Sequence, residues 1–286
     1  MKKFIAMLMA GAMAFSLAAC GSKSAQNTQS GADKTDSPEL SGSVVCLGST
    51  SMTDVMSILA EQFNTNNEGV TVSVEGGGSS AGVAAANNQT ADLGLASRAL
   101  KDEEKSEGLV ENIIALDGIA IIVNSENKVA GLSVEDIAKI FTGEITDWSE
   151  VGGDAGEIAV IGRESGSGTR DGFESITETE DKCKLNQELT STGAVIEAVR
   201  GNKAAIGYAS LSAVEGQDGI NAITVDGVEC NESTVLDGTY KIQRPFVIVT
   251  KEGVELTAQA QAFFDWAMSK DAADLIRQAG AVPTAA

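Results

Sequence analysis

Three short segments combine glycine with hydroxyl side chains in a pattern suited to anion capture: Gly48-Ser49-Thr50-Ser51, Gly76-Gly77-Gly78-Ser79-Ser80 and Arg163-Glu164-Ser165-Gly166-Ser167-Gly168-Thr169. Each lies between a strand-like run and an expected helix start. Glycine lets the backbone approach a ligand, the N–H groups of a helix N-terminus point at it with the positive end of the dipole, and hydroxyls donate further bonds. Any one cluster also fits a Gly-rich turn followed by a Ser or Thr N-cap. Their recurrence in one chain points to a shared anion site. The third cluster is the most specific, because Arg163 adds a forked cation able to grip two oxyanion oxygens. Its plainer reading is a surface ion pair with Glu164.

Catalytic chemistry is poorly served. Gly78-Ser79-Ser80-Ala81-Gly82 fits the G-x-S-x-G pattern of a hydrolase nucleophile elbow, yet the chain has no histidine, so neither a Ser-His-Asp triad nor an imidazole metal ligand is available. A P-loop ending and a G-x-G-x-x-G fingerprint are both missing. Acidic runs such as Asp102-Glu103-Glu104 read as solvated faces rather than paired catalytic acids. No cofactor or metal is expected. Setting aside Lys2 and Lys3, the 20 basic residues become 18 against 41 acidic ones, a net charge of −23. That balance opposes nucleic acid and anionic headgroups, so a bound anion must be held by local geometry.

The segments that must position these clusters alternate in type. Val44–Leu47, Val70–Val74, Ile113–Val123, Ile158–Ile161, Ala204–Ala209, Ile220–Val225 and Phe246–Thr250 read as strands. Met52, Val55, Met56, Leu59 and Phe63 fall at helical spacing after Ser51, which forms a capping-box pattern with Asp54. Val134, Ile137, Ala138 and Phe141 repeat it after Ser133, with Gly143 as the stop. A third helix carries Val195, Ala198 and Val199 to Gly201, and Thr257–Gln278 forms a terminal helix pair. Strands alternating with helices argue for an α/β fold.

A resemblance then becomes specific. Ala91-Asp92-Leu93-Gly94 followed by Ala96-Ser97-Arg98, Leu116-Asp117-Gly118-Ile119-Ala120, Phe141-Thr142-Gly143-Glu144-Ile145-Thr146-Asp147-Trp148 and Arg163 to Thr169 resemble, in that order, the phosphate-binding protein family of phosphate ABC transporters. The resemblance runs from about residue 43 to the C-terminus. It implies a two-lobed Venus-flytrap (periplasmic-binding-protein) fold with two crossover strands, near Ile121 to Asn124 and near Gln243 to Phe246. Lobe 1 would comprise residues 42–121 plus 247–286, and lobe 2 residues 122–246. It also implies a non-enzymatic receptor holding dehydrated phosphate through Thr50 and Ser51, Ser79 and Ser80, and Arg163, Ser167, Gly168 and Thr169, with Ser49 and Ser97 as neighbours. Delivery to ABC permease subunits, as a monomer, goes with it. Arg98 and Ser165 stand where well-known members carry aspartates, the first of which accepts phosphate's proton and so rejects sulfate. Asp117 and Glu164 are the remaining candidates for that role. Receptors for sulfate or molybdate, and a structural or adhesive surface lipoprotein, are the alternatives.

The N-terminus indicates the compartment. Lys2 and Lys3 precede an apolar run, Phe4 to Ala19, that is too short for a spanning helix and reads as a signal peptide. Leu17-Ala18-Ala19-Cys20-Gly21 resembles a lipobox, which makes Cys20 the expected lipid anchor on the outer face of the cytoplasmic membrane. Residues 20–41 are a polar tether with too little apolar surface to order itself. Cys183 and Cys230, both in polar, loop-like surroundings, are the expected disulfide, whereas Cys46 reads as a buried strand thiol.

Overall fold

The computed structural model describes residues 40–284. The expected signal peptide, the lipidation of Cys20 and all but the last two residues of the tether lie outside the described residues. Leu40, expected within the tether, packs against the first core. No helix among the described residues is long and apolar enough to cross a membrane.

In chain order, Gly42–Gly48 (β1), Thr53–Asn66 (α1), Val70–Gly76 (β2), Ser79–Asn88 (α2), Leu93–Ala96 (β3) and Asp102–Ser106 (α3) lead into the long strand Leu109–Asn124 (β4). Gly131–Leu132 (β5), Val134–Thr142 (α4), Ala159–Arg163 (β6), Gly168–Thr177 (α5), Gln187–Leu189 (β7) and Thr192–Arg200 (α6) follow. Next come Ala205–Ser210 (β8), Leu211–Val214 (α7), Ile220–Val225 (β9) and Glu232–Leu236 (α8). Gln243–Lys251 (β10), Ala258–Ala267 (α9), Ala273–Gln278 (α10) and Val282–Pro283 (β11) complete the described chain.

The arrangement is the expected two-lobed α/β fold. In one lobe β1 pairs in parallel with β2 and β3, and β10 runs antiparallel between β3 and β4. In the other, β4 pairs antiparallel with β8 and β9, while β6 joins β8 and β7 in parallel. Strands β4 and β10 are therefore the crossovers, and their register sets Arg244 opposite Asp117.

Each lobe has its own apolar core. Val44, Met56, Leu59, Phe63, Leu95, Ala115, Phe246 and Phe263 belong to the first. In the second lobe Ile119, Ile121 and Val123 face Phe141, Phe173 and Tyr208, while Ala120 and Ile122 point to the opposite face against Ile161 and Val195. That alternation is the period-2 pattern of a strand covered on both faces. The cores change over between Ala115 and Ile119 on β4, and between Ile242 and Phe246 on β10. The division expected at residues 121 and 122 thus falls inside the second core. Asp117-Gly118 interrupts the apolar run between the two cores.

Local chemistry explains several starts and stops. Ser133 caps α4 by accepting from the Asp136 N–H at 3.0 Å, and Gly143, with φ +75°, ends it. The capping box expected at Ser51 does not form: α1 starts at Thr53 behind Met52, with no side-chain cap bond. Phe141 and Trp148 are core residues, Trp148 donating from Nε1 to the Ala204 carbonyl at 3.0 Å. Phe173 stacks on Tyr208 with ring centroids 4.3 Å apart, and Phe141 leans on both. Such rings contribute burial and a fixed geometry beneath α5. Close packing of α2 needs Gly82, where an added Cβ would lie 2.4 Å from the Leu95 carbonyl oxygen.

The expected Cys183–Cys230 bridge does not exist; Cys46, Cys183 and Cys230 are free thiols. Cys183 Sγ donates to Thr179, whereas Cys230 packs toward Gly118 beside the hinge, where its Sγ is 2.5 Å from the position of an added Cβ. The two cysteines serve separate surroundings that sequence position alone does not distinguish. Burial, with the Asp117 carboxylate adding to it, pushes the Cys230 thiol up to about 12, and burial chiefly pushes Cys183 up to about 11. Alkylation without reductant is accordingly expected to be slow at all three positions in the native protein and complete in denaturant. Peptide mass spectrometry checks this, since a bridge would leave two positions unlabelled until reductant is added.

Candidate functional site

The two lobes meet across a buried layer of hydroxyls. Ser49, Thr50 and Ser51 form the turn between β1 and α1, Ser79 opens α2, and Ser97 follows β3. From the second lobe come Arg163 at the end of β6, Thr169 in the first turn of α5 and Thr192 at the start of α6. Ser51 Oγ lies 2.8 Å from Thr169 Oγ1 and 3.1 Å from Thr192 Oγ1, and Thr50 Oγ1 lies 3.2 Å from Thr192 Oγ1. Ser49 Oγ donates to Ser97 Oγ at 2.8 Å, and Ser97 Oγ lies 3.3 Å from Ser79 Oγ. The Ser51 N–H, bonded to Ser49 Oγ at 3.3 Å, joins the two groups into one network.

The helix starts complete this layer. At Gly168 an added Cβ would lie 2.3 Å from Ser79 Oγ and 2.8 Å from Ser97 Oγ, so only glycine lets α5 approach α2 this closely. Ser167 caps α5 by accepting from the Arg170 N–H. The N-termini of α2, α5 and α6 thereby meet at this layer, the Thr192 N–H donating to Thr50 Oγ1 at 3.2 Å, and the positive ends of their dipoles favour negative charge there. Ser80 is exposed at the rim, where its N–H donates to the Gly166 carbonyl across the lobes at 3.0 Å.

Arg163 is buried; its carboxylate partner is the Glu164 of the plainer reading, but the pair lies inside the protein rather than at its surface. Nε and Nη2 each donate to a Glu164 carboxylate oxygen at 2.9 Å, while Nη1 donates to Thr192 Oγ1 at 3.1 Å. With the Arg163 side chain 2% exposed, this is a largely buried pair rather than a surface one. The fork grips Glu164, and the opposite edge of the guanidinium faces the hydroxyls. Glu164 thus supplies the counter-ion that Ser165 cannot. The Arg163 N–H also donates to Tyr208 Oη at 3.1 Å, tying the site to the aromatic core.

Asp117 reaches the hydroxyl layer only through Arg244. Its Oδ2 accepts from Arg244 Nε at 3.2 Å and Nη2 at 2.9 Å, and its Oδ1 accepts from Ser210 Oγ at 2.7 Å. Arg244 Nη1 then donates to Ser97 Oγ at 3.2 Å. A direct role for Asp117 as acceptor of a ligand proton does not fit this placement, since both carboxylate oxygens are engaged away from the layer. Burial raises the Asp117 carboxyl and lowers the Arg244 guanidinium, each opposed by the charge of the other.

Arg98 also has a definite place. It takes Glu104 with Nη1 and Nη2, both at 2.8 Å, and its Nε lies 2.9 Å from Asp171 Oδ2 on α5, so it links the lobes beside the site. Thr192 and Arg244 escaped the sequence reading. Ser191-Thr192-Gly193 carries the same hydroxyl-glycine signature as the other clusters and was legible in principle. Nothing around Arg244-Pro245 marks it locally, because its partners lie 127 and 147 residues away.

Known proteins resemble this chain over most of its length. Residues 25–271 match the PBP superfamily domain. The phosphate-binding protein PstS of Bacillus subtilis strain 168 is 30% identical over 274 residues, covering 94% of this chain and 89% of the relative. A phosphate ABC transporter substrate-binding protein from Clostridium perfringens, solved with bound phosphate, superposes with a TM-score of 0.82 at 40% identity, over 85% of this chain and all of that one. An ABC-type phosphate transport receptor from Vibrio cholerae gives a TM-score of 0.69 at 32% identity, over 84% of this chain and 99% of that one.

Removing Arg163 should separate its two roles. Arg163→Met is expected to lower oxyanion affinity roughly 10- to 100-fold by calorimetry and to destabilise the ligand-free protein by about 1–3 kcal/mol, because Glu164 loses its partner. Adding Glu164→Gln should restore most of the melting temperature and little of the affinity. Full recovery of both would show that the cation acts only as a structural partner of Glu164.

Proposed function

Since the chain belongs to the phosphate-binding protein family within the PBP superfamily, we propose that it is a non-enzymatic receptor that captures inorganic phosphate between its lobes and delivers it, as a monomer, to an ABC importer. The observation that carries this reading is the continuous hydroxyl network, fed by both lobes and flanked by the guanidiniums of Arg163 and Arg244. Serine and threonine hydroxyls both donate and accept, so such a layer can meet the bare oxygens of a tetrahedral oxyanion and also its one remaining O–H. Each guanidinium brings its own carboxylate, Glu164 or Asp117, so the site gains oriented donors without a large net charge.

Thermal-shift and calorimetric titrations with phosphate, arsenate, sulfate and molybdate test it. Phosphate should raise the melting temperature, since a ligand held at about 100 times its Kd adds about 2.7 kcal/mol to a state that alone binds it. Sulfate and molybdate should do so far less. No stabilisation by phosphate, or a stronger effect of sulfate, would overturn the assignment.

Anchoring through a lipid on Cys20 belongs to the same proposal and is supported by Leu17-Ala18-Ala19-Cys20 after the apolar run. Cys20→Ser is expected to block processing and abolish incorporation of labelled fatty acid while leaving phosphate binding intact. Unlipidated wild-type protein cleaved elsewhere would remove the anchor.

A further inference from the structure

The hydrogen-bond directions around Ser97 are constrained by counting. A hydroxyl has one proton to donate and two lone pairs to accept with, and a guanidinium can only donate. Ser97 Oγ accepts from Arg244 Nη1 at 3.2 Å and from Ser49 Oγ at 2.8 Å, which fills both lone pairs. Its own proton therefore goes to Ser79 Oγ, 3.3 Å away. Ser79 Oγ also accepts from the Ser97 N–H at 3.0 Å, so its lone pairs are filled as well. The Ser79 proton must then leave the trio, and Ser79 Oγ lies against Gly168 at the start of α5, on the side of the converging helix termini.

We infer that the Asp117–Arg244 pair is a positioning device: it fixes the direction of the chain Arg244, Ser97, Ser79, so that Ser79 meets a bound oxyanion as an obligatory donor. This inference rests on the phosphate reading of the site. Asp117 holds Arg244 through two N–H groups on one oxygen, with Ser210 securing the other oxygen, which leaves Nη1 aimed at Ser97. Both residues sit on the crossover strands in opposed register, between the two cores. The device is thereby mounted on the hinge rather than on either lobe.

The other half of the layer is less constrained: Arg163 Nη1 fills one lone pair of Thr192 Oγ1 and the Thr192 N–H one of Thr50 Oγ1, and the remaining bonds keep a choice of direction. Ser51 with Thr169, Ser51 with Thr192, and Thr50 with Thr192 can each be bonded in either direction. Those hydroxyls can turn one oxygen toward a ligand proton. Acceptance of the phosphate O–H is therefore assigned to the Thr50, Ser51, Thr169 and Thr192 side, and the Ser79 side is reserved for a bare oxygen.

A double-mutant cycle read by calorimetry with inorganic phosphate tests the device, because coupling appears only between residues acting through one another. Arg244→Met should weaken phosphate binding roughly tenfold in the otherwise unaltered chain, the loss of about one well-formed charged hydrogen bond. In a Ser79→Ala background the same change should cost less than about twofold. Should Arg244→Met fail to fold because Asp117 is left buried without a partner, Ser97→Ala breaks the relay while keeping the ion pair, and the same cycle applies. Equal losses in both backgrounds would overturn the device, whereas failure of the unaltered chain to bind phosphate would overturn the reading on which it rests.

Discussion

Arg244 stands between Asp117 and Ser97, and through that one buried contact the strands that cross between the lobes reach the hydroxyl layer. An ion pair taken out of water is costly unless every remaining donor and acceptor is satisfied. Here the carboxylate has Arg244 on one oxygen and Ser210 on the other, and the third arm of the guanidinium is used on Ser97. The pair lies where β4 and β10 leave one core and enter the next, buried beside Gly118 and the Phe246 ring. Polar bonding satisfies the charges within that buried setting, and Arg244 carries it on to Ser97 of the hydroxyl layer.

The site has a second constraint, set by the overall charge. With a net charge of −21, the chain as a whole repels anions. Attraction must therefore arise at short range, from helix N-termini, backbone N–H groups and hydroxyls already pointing inward. Interactions of this kind gain strength where water is excluded, because the local dielectric is lower. The two guanidiniums do not contradict this economy of charge, since Glu164 and Asp117 neutralise them at close contact. What remains is a set of directed N–H and O–H groups, which favours oxygen geometry over charge alone.

Lobe closure uses the same chemistry. Ser51 meets Thr169 and Thr192, Thr50 meets Thr192, and Ser80 meets Gly166, each pair joining residues from different lobes. Beside them Arg98 connects Glu104 in the first lobe to Asp171 in the second. Hydrogen bonds of this type contribute little net stability each, since water offers similar partners when the lobes separate. A closure held by several weak, replaceable contacts is suited to reversible hinge motion.

Much of this was legible in the sequence. Periodicity located most strands and the principal helices, and the glycine-hydroxyl clusters pointed to Ser49, Thr50, Ser51, Ser79 and Thr169, because segments that cap helices and expose backbone carry a local compositional mark. With no histidine in the chain, the G-x-S-x-G match of Gly78 to Gly82 had no Ser-His-Asp triad to serve. Other features had no local mark. Whether Arg163 would grip a ligand or Glu164, whether Cys183 and Cys230 would pair, and where the cores would change over all depend on residues distant in the chain. Arg244 is the clearest case: its meaning comes from a β4–β10 register that brings Asp117 opposite it and a fold that brings Ser97 beneath it. Sequence determined which segments could expose donors, since that is decided by neighbours a few residues apart; tertiary structure alone decided which donors face one another, since that is decided by how two cores dock across a hinge.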